Sequence, residues 1–447
     1  MSQAAVIGAG PAGALMSIYL ARQGYEVTVY EQRDDLRTTN VATGRSINLA
    51  LATRGIVPLI DVGAIDRVDA ITIPMRGRMI HPLDEPAPVF QPYGNRPHEV
   101  IHSVSRTDLN AILLDVAEAT GSVTFEFGQP IEEVELDTGR VSLSGGRAAE
   151  FDLLIGADGA GSMVRRAMAE RGACRHHTEW LDHDYKELTL PPGPDGQHQL
   201  DPHALHIWPR GELMVIALAN PAGDFTVTLF APKSTFSELT PGSALEFFTD
   251  QFPDLATLIP DLAQQFDDHP TGALGTLWAD GWSYKDRAVL LGDSAHAIVP
   301  FHGQGMNAAM ESARVLDRHL RNHPADRAGA FRAFEAERKP DADAIARMAH
   351  ENYLEMRAGV VDPRYLAKRS LALELEQRYP ERVSPRYNMV MFSTMPYSEA
   401  RARAHEQDRL LDYALDHPNA DWDALVAAIS PLPANDPLTD PDALSLS

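Results

Sequence analysis

Three glycines near the start of this 447-residue chain have a spacing that suits phosphate binding. Gly8, Gly10 and Gly13 form the pattern G-x-G-x-x-G. Such glycines allow a tight turn and a close backbone approach to a pyrophosphate, which the N-terminus of the next helix stabilises. Glu31 follows about 20 residues later, where a carboxylate can accept hydrogen bonds from ribose hydroxyls. The pattern predicts a dinucleotide site, and taken alone it fits FAD and NAD equally.

Two aspartates further along the chain each follow an apolar stretch. Asp158 follows residues 153–155, and Asp293 follows residues 288–291. Ligands of open α/β sheets bind at the carboxyl ends of the strands, where Asp293 can accept from a sugar or ribityl hydroxyl. A helix that begins at residues 305–307 would stabilise negative charge on a flavin ring. These two motifs favour FAD over a plain NAD-linked dehydrogenase.

Two arginines, Arg76 and Arg78, interrupt the otherwise apolar stretch PMRGRMIH at residues 74–81. A buried arginine needs a partner, because removing its charge from water is costly. Its guanidinium can pair bidentately with a carboxylate. Alternation along a strand would put both side chains on one face. A surface ion pair is the favoured interpretation of Arg76, whereas Arg78 is a candidate for binding an anion.

Strand and helix patterns must position these residues. Apolar strands are predicted at 4–7 and 27–30, with helical spacing between them at 14–22. The stretches LMVIALAN and FTVTLF alternate in a way that suits a sheet wall over a ligand. Residues 331–430 are predicted to be mostly helical, with a break or kink at Pro340.

Composition excludes several classes of protein. Lys and Arg number 39 and Asp and Glu 63, so the net charge of −24 disfavours nucleic acid and anionic lipid as partners. The single cysteine and the absence of a long apolar run predict a soluble, cytoplasmic protein without a membrane span. The stretch RHHTEWLDHD (175–184) lacks the spacing of a metal site, so we interpret it as a solvated loop and predict no metal. The Pro- and Asp-rich residues 431–447 read as a disordered tail.

The order of the three motifs resembles that of the FAD-dependent aromatic hydroxylases. Stretches such as PMRGRMIHP, SVSRTDLNAILL, HAIVPFHGQGMN and PRYNMVMF more specifically resemble the kynurenine 3-monooxygenases, and such stretches are spread over most of the chain. The resemblance implies bound FAD with NADPH and O₂ as co-substrates. It implies oxygen transfer from a flavin C4a-hydroperoxide to the ring of L-kynurenine, in the catabolism of tryptophan.

The resemblance also implies a fold and its domains. It is an α/β fold with a Rossmann-like FAD-binding domain of the aromatic hydroxylase type, a β-sheet substrate domain and a C-terminal helical region. The FAD-binding domain is expected at 1–70, 102–177 and 276–330. The substrate domain is expected at 71–101 and 178–275, and the helical region at 331–430.

Site residues follow from the same resemblance, position by position. The substrate carboxylate would be held by Arg78, Tyr93, Asn352 and Tyr387. The aromatic ring would be positioned by Pro300, Phe301, His302 and Gln304, with Ile101 and Ile207 lining the pocket. The flavin contacts would be Gly8, Gly10, Ala12, Gly13, Glu31, Arg33, Asn48, Ala50, Arg106, Asp158, Asp293, Gly305, Met306 and Asn307. No side chain need act as an acid or base, because the flavin carries the chemistry.

Two other functions stay open at the level of sequence. One is a sibling hydroxylase acting on a substituted kynurenine or another anthranoyl amino acid, since the carboxylate anchors do not read ring substituents. The other is a non-catalytic flavin-binding redox sensor, which would bind FAD without turnover. The sequence predicts no particular oligomeric state.

Overall fold

The protein is described by a computed structural model that covers residues 2–38, 48–83, 87–96, 98–357, 362–417, 419 and 421–433. Its strands are β1 (Gln3–Ile7), β2 (Glu26–Tyr30), β3 (Asn48–Leu51), β4 (Thr72–Met75), β5 (Gly77–Ile80), β6 (Val89–Pro92), β7 (Ile101–Ser105), β8 (Val123–Glu126), β9 (Ile131–Glu135), β10 (Arg140–Leu143), β11 (Ala148–Glu150), β12 (Leu153–Gly156), β13 (Arg175–Leu190), β14 (Ala204–Arg210), β15 (Leu213–Ala219), β16 (Phe225–Pro232), β17 (Thr271–Asp280), β18 (Ser283–Tyr284) and β19 (Ala288–Leu290).

Its helices are α1 (Pro11–Arg22), α2 (Thr53–Val62), α3 (Ile65–Asp69), α4 (Arg106–Glu118), α5 (Met163–Glu170), α6 (Lys233–Glu238), α7 (Ala244–Gln251), α8 (Pro253–Leu258), α9 (Leu262–Asp268), α10 (Asp293–His296), α11 (Gly305–Asn322), α12 (Arg327–Arg357), α13 (Pro363–Arg378), α14 (Arg386–Met391), α15 (Tyr397–Asp416) and α16 (Trp422–Ala427). A single 3₁₀ turn, Pro300–His302, precedes α11.

A six-stranded sheet carries the nucleotide-binding pattern, in the order β18-β19-β12-β1-β2-β8. The strands from β19 to β8 are parallel, and β18 is antiparallel at one edge. The apolar residues of β1, β12 and β19 are fully buried, as expected for parallel strands covered on both faces. Their carboxyl ends place the glycine turn, the Asp158 turn and the Asp293 turn along one edge of the sheet.

A seven-stranded sheet, in the order β17-β13-β16-β15-β14-β5-β6, forms the second layer. Side chains alternate across it because successive residues of a strand point to opposite faces. The odd-numbered residues of β15 and β16 pack in a core with α7, α8 and α9. The even-numbered residues face the nucleotide-binding sheet and line a cleft. The alternation predicted for LMVIALAN and FTVTLF is thereby confirmed.

Smaller elements join the two large sheets. A three-stranded sheet has the order β3-β7-β4, and another has the order β11-β10-β9. The strands β13 and β17 run across the predicted domain boundaries at 177/178 and 275/276, and both belong wholly to the seven-stranded sheet. The domain division itself stays a prediction.

Two local predictions were wrong, one of them in part. The predicted break at Pro340 is absent: α12 runs through Pro340 as one helix, whose contacts with α11 and α15 hold it where proline removes a hydrogen bond. The alternative, a kink at Pro340, stays a prediction. RHHTEWLDHD is a strand and not a loop: residues 175–180 and 184 pair with β17, residues 183 and 184 pair with β16, and the side chains of residues 175–180 stay exposed. Ladder hydrogen bonds therefore outweigh the polar composition there.

The predicted tail at 431–447 lies outside the described residues from position 434 onward. In the part of the chain that is described, no helix combines the length and apolar character needed to cross a bilayer. The same part contains no group of three or more His, Cys, Asp or Glu side chains arranged to hold a metal ion.

Candidate active site

A cleft of about 560 Å³ lies where the two large sheets and the C-terminal helices meet. One end is formed by the glycine turn after β1 and the opening of α11, and the other end contains Arg78, Tyr93 and Tyr387. The wall between them is largely apolar. We call the part at the glycine turn the nucleotide end and the part at Arg78, Tyr93 and Tyr387 the cationic end. The apolar middle between them suits an extended cofactor and a small amphipathic ligand.

Close packing explains two of the three glycines in the first motif. A Cβ atom on Gly13 would lie 2.0 Å from the carbonyl oxygen of Gly8, and one on Gly8 would lie 2.3 Å from that of Ala157. Gly8 also has a φ of +103°. Gly10 differs, because it lines the cleft and a Cβ atom there would meet nothing within 4 Å. Gly10 therefore keeps open the space in front of α1.

The N-terminus of α1 has the donors that a pyrophosphate requires. Gly10 occupies the N-cap without a side-chain hydrogen bond, and Pro11 opens the helix. Ala12 also lines the cleft. The first-turn N–H groups and the positive end of the helix dipole therefore face the cleft without a side-chain cap. A dinucleotide phosphate would fit this donor set.

Glu31 directly follows β2, and its carboxylate accepts from the backbone N–H groups of Ala9 and Arg33, each at 3.0 Å. It thus joins the end of β2 to the glycine turn. The Arg33 side chain is exposed to solvent and does not line the cleft.

Asp158 and Asp293 occupy different environments at the sheet edge. Asp158 accepts from the Met163 N–H at 2.6 Å and from the Ser294 hydroxyl at 3.1 Å, so its side chain joins the two turns and caps α5. Asp293 instead lines the cleft. Burial raises the pKa of both carboxyl groups, and the charge of Arg106 opposes that rise for Asp293. Asp293 and Arg106 are the polar groups that a cofactor in the cleft would meet here.

The opening of α11 is fixed by an asparagine. The Asn307 amide donates to the carbonyl oxygens of Ala50 (2.8 Å) and Gly303 (2.9 Å), and its oxygen accepts from the Ala52 N–H at 2.9 Å. The side chain therefore holds β3 against the helix, while Gly305 and Met306 line the cleft.

Asn48 lines the cleft beside this helix opening. It donates to the Ser103 hydroxyl and the Ala219 carbonyl, and its own side-chain oxygen has no hydrogen-bond partner among the described residues. Residues 44–47, which directly precede Asn48, fall outside the described part of the chain.

The cationic end brings together residues that are far apart in sequence. The Arg78 side chain is 2% exposed, and its guanidinium carbon lies 4.6 Å from the ring centroid of Tyr387 and 5.9 Å from that of Tyr93. The rings of Tyr93 and Tyr387 stack with centroids 5.3 Å apart. Neither the Arg78 Nε nor the Tyr93 hydroxyl has a hydrogen-bond partner among the described residues. A buried guanidinium with an unpaired Nε beside an unpaired hydroxyl is the kind of donor set that a carboxylate fits.

Two further residues bear on this end of the cleft: His302, which the family resemblance assigned to positioning the ring, and Arg369, which no motif singled out. His302 stacks on Tyr387 at 5.3 Å, and neither of its ring nitrogens has a partner among the described residues. Burial lowers the pKa of His302 to about 3, so the ring is neutral at physiological pH. Arg369 donates to the Pro92 carbonyl at 2.5 Å. Burial lowers the pKa of the Arg369 guanidinium, and the positive charge of Arg78 lowers it further. This second guanidinium adds positive potential near Arg78.

Three predicted pocket residues lie outside the cleft lining. The Asn352 amide donates to the Phe301 carbonyl at 2.7 Å, so it supports the loop that carries Phe301. Gln304 accepts from the Tyr397 hydroxyl at 2.6 Å and is fully buried. Ile207 does not reach the cleft surface and packs in a buried cluster with Phe230 and Phe301. Ile101, Pro300 and Phe301 do line the cleft as expected.

The apolar middle of the cleft comes from strands of the seven-stranded sheet. The side chains of Met214, Ile216, Leu218, Thr226, Thr228 and Phe230 line it, together with Tyr185 and Glu187 of β13. Burial raises the pKa of Glu187. Period-two alternation in β15 and β16 is the sequence signal that could have identified the first six; Tyr185 and Glu187 carry no comparable signal.

Comparison with known proteins places the chain in a family. Residues 1–349 match the model of a protein family whose description is "FAD binding domain". Kynurenine 3-monooxygenase of Stenotrophomonas maltophilia (strain K279a) is 48% identical over 437 residues, covering 95% of each chain. The enzyme of the same name from Xanthomonas axonopodis pv. citri (strain 306) is 47% identical over the same length and coverage.

Solved structures agree on the fold. The tetrameric form of 2-methyl-3-hydroxypyridine-5-carboxylic acid oxygenase superposes with a TM-score of 0.68 at 21% identity, covering 82% of this chain and 95% of its own. PqsL of Pseudomonas aeruginosa in complex with 2-aminobenzoylacetate gives a TM-score of 0.66 at 20% identity, covering 80% and 97%. With the FAD family match and the close relatives, these findings lead to one conclusion: the chain belongs to the kynurenine 3-monooxygenase family of FAD-dependent aromatic hydroxylases.

Proposed function

We propose that this enzyme hydroxylates L-kynurenine on the ring carbon next to the amine, giving 3-hydroxykynurenine and consuming NADPH and O₂. The observation that carries the proposal is the buried Arg78 guanidinium, which faces the cleft with its Nε atom unpaired among the described residues. A substrate with an α-amino acid head would supply the missing carboxylate. The relatives at 46–48% identity bear the name of this reaction.

The substrate would lie with its carboxylate at the cationic end and its ring in the apolar middle. Arg78 would form the charged contact, and the hydroxyls of Tyr93 and Tyr387 would complete the hydrogen bonding of the carboxylate. The ring would pack between Phe301, whose ring centroid lies 4.9 Å from that of Phe230, and the even-numbered residues of β15 and β16. This placement presents the ring to the opening of α11, where the cofactor is expected.

FAD fits the opposite end of the cleft. The glycine turn, Glu31 and the first turn of α1 would hold its adenosine and phosphates, and Arg106, Asp293, Gly305 and Met306 would contact the remainder. When bound and reduced by NADPH, FAD would activate O₂, one atom of which is added to the substrate ring while the other leaves as water. The protein's part is to orient the ring and to exclude water from a largely apolar cleft. We further propose that the enzyme works in the cytoplasm, where NADPH is available.

A comparison of L-kynurenine with its decarboxylated analogue kynuramine tests the proposal. We expect L-kynurenine to stimulate NADPH oxidation and to yield 3-hydroxykynurenine, whereas kynuramine leaves Arg78 unpaired and is a poor substrate. Sites built to bind a polar group reject analogues that lack it by about 10⁴-fold. NADPH consumption and product are measured by absorbance and by chromatography. If L-kynurenine stimulates NADPH oxidation but the only product is H₂O₂ formed from O₂, L-kynurenine is not the substrate.

Replacing Asn352 with leucine tests the support of the Phe301 loop. The change removes the hydrogen bond to the Phe301 carbonyl, and an unpaired buried group costs about 1–3 kcal/mol. We expect a larger share of the consumed NADPH to appear as H₂O₂, because the ring is held less firmly, with a KM for L-kynurenine within about tenfold of wild type. If Asn352 instead contacts the substrate carboxylate, as the family resemblance implies, KM will rise as much as in an Arg78 variant.

A further inference from the structure

Two glutamates, Glu99 and Glu376, are buried behind the tyrosines of the cationic end. Their side chains are 0% and 2% exposed. One nitrogen of Arg96, Nη1, lies 3.5 Å from an oxygen of Glu99 and 3.7 Å from an oxygen of Glu376. Two carboxyl groups therefore face a single guanidinium. We call Glu99 and Glu376 the carboxyl pair.

Glu99 contacts the residues that directly follow both tyrosines. Asn388, the neighbour of Tyr387, donates to one Glu99 oxygen at 3.0 Å. Gly94, the neighbour of Tyr93, approaches the other oxygen so closely that a Cβ atom would lie 2.0 Å from it. A shift of the Glu99 carboxyl group would therefore displace Gly94 and Asn388, and with them the backbone next to Tyr93 and Tyr387.

Glu376 links α13 to the same two segments. It accepts from the Asn95 amide at 3.2 Å and from the Ser384 hydroxyl at 3.3 Å. Asn95 lies in the loop after Tyr93, and Ser384 lies just before α14, which carries Tyr387. Asn95 also donates to the Leu373 carbonyl of α13 at 3.1 Å. The carboxyl pair thus joins one loop and two helices around the tyrosines.

We propose that Glu99 and Glu376 are positioning residues that share one proton and hold Tyr93 and Tyr387 in the arrangement that binds the substrate carboxylate. The inference rests on the proposed function and adds a regulation by pH. The affinity for the substrate depends on the protonation of a site that the substrate does not touch. Like carboxyl groups in a common buried site do not both ionise readily, so one retains a proton.

The surroundings assign that proton to Glu376. Glu99 accepts from the Arg96 backbone N–H at 2.9 Å and from the Asn388 amide at 3.0 Å, so each of its oxygens has a donor. Burial, and then the charge of Glu99, raise the pKa of Glu376 from its usual value of 4.5 to about 7, while Arg96 opposes the rise.

Other ionisable groups on the surrounding elements are engaged elsewhere. Arg369 of α13 faces Arg78 and donates to Pro92, and Tyr387 of α14 faces Arg78. Arg386 of α14 pairs with Glu351 and Glu355 of α12. His98 is the remaining ionisable residue on the loop between Tyr93 and Glu99.

The sign of the effect follows from the charge count. Below about pH 7 one proton on the pair leaves a single negative charge that Arg96 balances. Above it, two negative charges face one positive charge, and their repulsion loosens the contacts that hold the tyrosines. Because the pKa of Glu376 is raised in the folded state, its contribution to stability is present at low pH and is lost as pH rises toward 7. Affinity for the substrate falls in the same direction.

The test compares the wild-type holoenzyme with Glu376→Gln, which mimics the protonated carboxyl group at every pH. The matched control is Glu374→Gln on the same helix, where the side chain is exposed. We expect the KM for L-kynurenine to rise at least about fivefold between about pH 6 and about pH 8.5 in wild type and in the control, the low end of ordinary coupling between sites. In Glu376→Gln the KM should stay flat, and kcat should change little in all three proteins.

Thermal unfolding of the same three proteins gives a readout independent of turnover. Glu376→Gln should melt near the wild-type temperature at or below about pH 4.5, where Glu376 is protonated in the folded and the unfolded chain alike, and increasingly above it as the pH rises to about 8.5. The same pH dependence of KM in all three proteins would overturn the inference, as would a Glu376→Gln protein that never becomes the more stable at high pH. Should Glu376→Gln fail to fold, Glu99→Gln must flatten the KM profile instead, or the inference fails. No response to L-kynurenine in any protein, with the stability difference intact, would overturn the proposed substrate and not the shared proton.

Discussion

Replacing Arg78 with alanine raises the KM for L-kynurenine by about 30- to 5,000-fold while FAD stays bound. The range corresponds to the roughly 2–5 kcal/mol that is lost when one partner of a buried charge pair is removed. The loss is large because Arg78 is 2% exposed, so its removal would leave the substrate carboxylate in a largely buried place without its charged partner. Steady-state kinetics give KM, and the flavin absorbance of the purified protein gives FAD content.

The neighbouring Arg76 supplies the matched control for this experiment. Arg76 lies two residues away, is exposed, and makes no ion pair within the described residues. The predicted surface salt bridge of Arg76 is therefore not seen there, and Arg76→Ala should leave the KM unchanged. Arg78→Lys should fall between wild type and Arg78→Ala, since it keeps the charge and loses the planar fork. An Arg78→Ala enzyme with the wild-type KM would show that another group holds the carboxylate.

Replacing Gly10 with valine leaves the protein folded and weakens its binding of FAD. A Cβ atom at Gly10 meets no protein atom within 4 Å, and the backbone there is extended, so the folded chain accepts a side chain. The space it would fill is the one in front of α1 that a pyrophosphate needs. Forcing extra atoms into a close contact costs about 1–3 kcal/mol, which is about 5- to 150-fold in the dissociation constant of FAD.

Gly161 is the control for this second experiment. It too has no atom within 4 Å of an added Cβ, but it is exposed and does not line the cleft. Gly161→Val should keep its FAD, and fluorescence titration of the apoprotein with FAD measures both variants. Gly10→Val with the FAD affinity of wild type would mean that the phosphates do not approach Gly10. Circular dichroism verifies that each variant is folded.

Much of the nucleotide end was predictable because its residues act close together in the chain. The turn at Gly8–Gly13, the helix after it and the strand before Glu31 are neighbours in sequence, and their steric demands are local. The alternation in β15 and β16 likewise predicted that these strands form a wall over the ligand, although the individual wall residues were not named from the sequence. Where tertiary contacts competed with local preference, prediction failed: packing of α12 carried the helix through Pro340 without the expected break, and pairing with β16 and β17 made residues 175–184 a strand.

The roles of individual polar side chains were harder to predict. Asn307, Asn352 and Gln304 belong to stretches that the family resemblance marks, and in the structure their amides join elements that are distant in sequence. A motif shows that a residue is near the site but does not say which way its side chain points. That depends on which carbonyl or hydroxyl the folded chain brings within hydrogen-bond distance.

The sequence by itself determined the class of chemistry: glycine spacing, two strand-end aspartates and the stretches shared with a hydroxylase family point to a flavin enzyme for an anionic aromatic substrate. Only the tertiary structure decided how the anion is held. It separates Arg78, which is buried against two tyrosine rings, from the exposed Arg76 only two residues away. It also brings Glu376 next to Glu99, across more than half the chain. Burial and long-range proximity are properties of the folded chain, and they set the charge, affinity and pH response of the site.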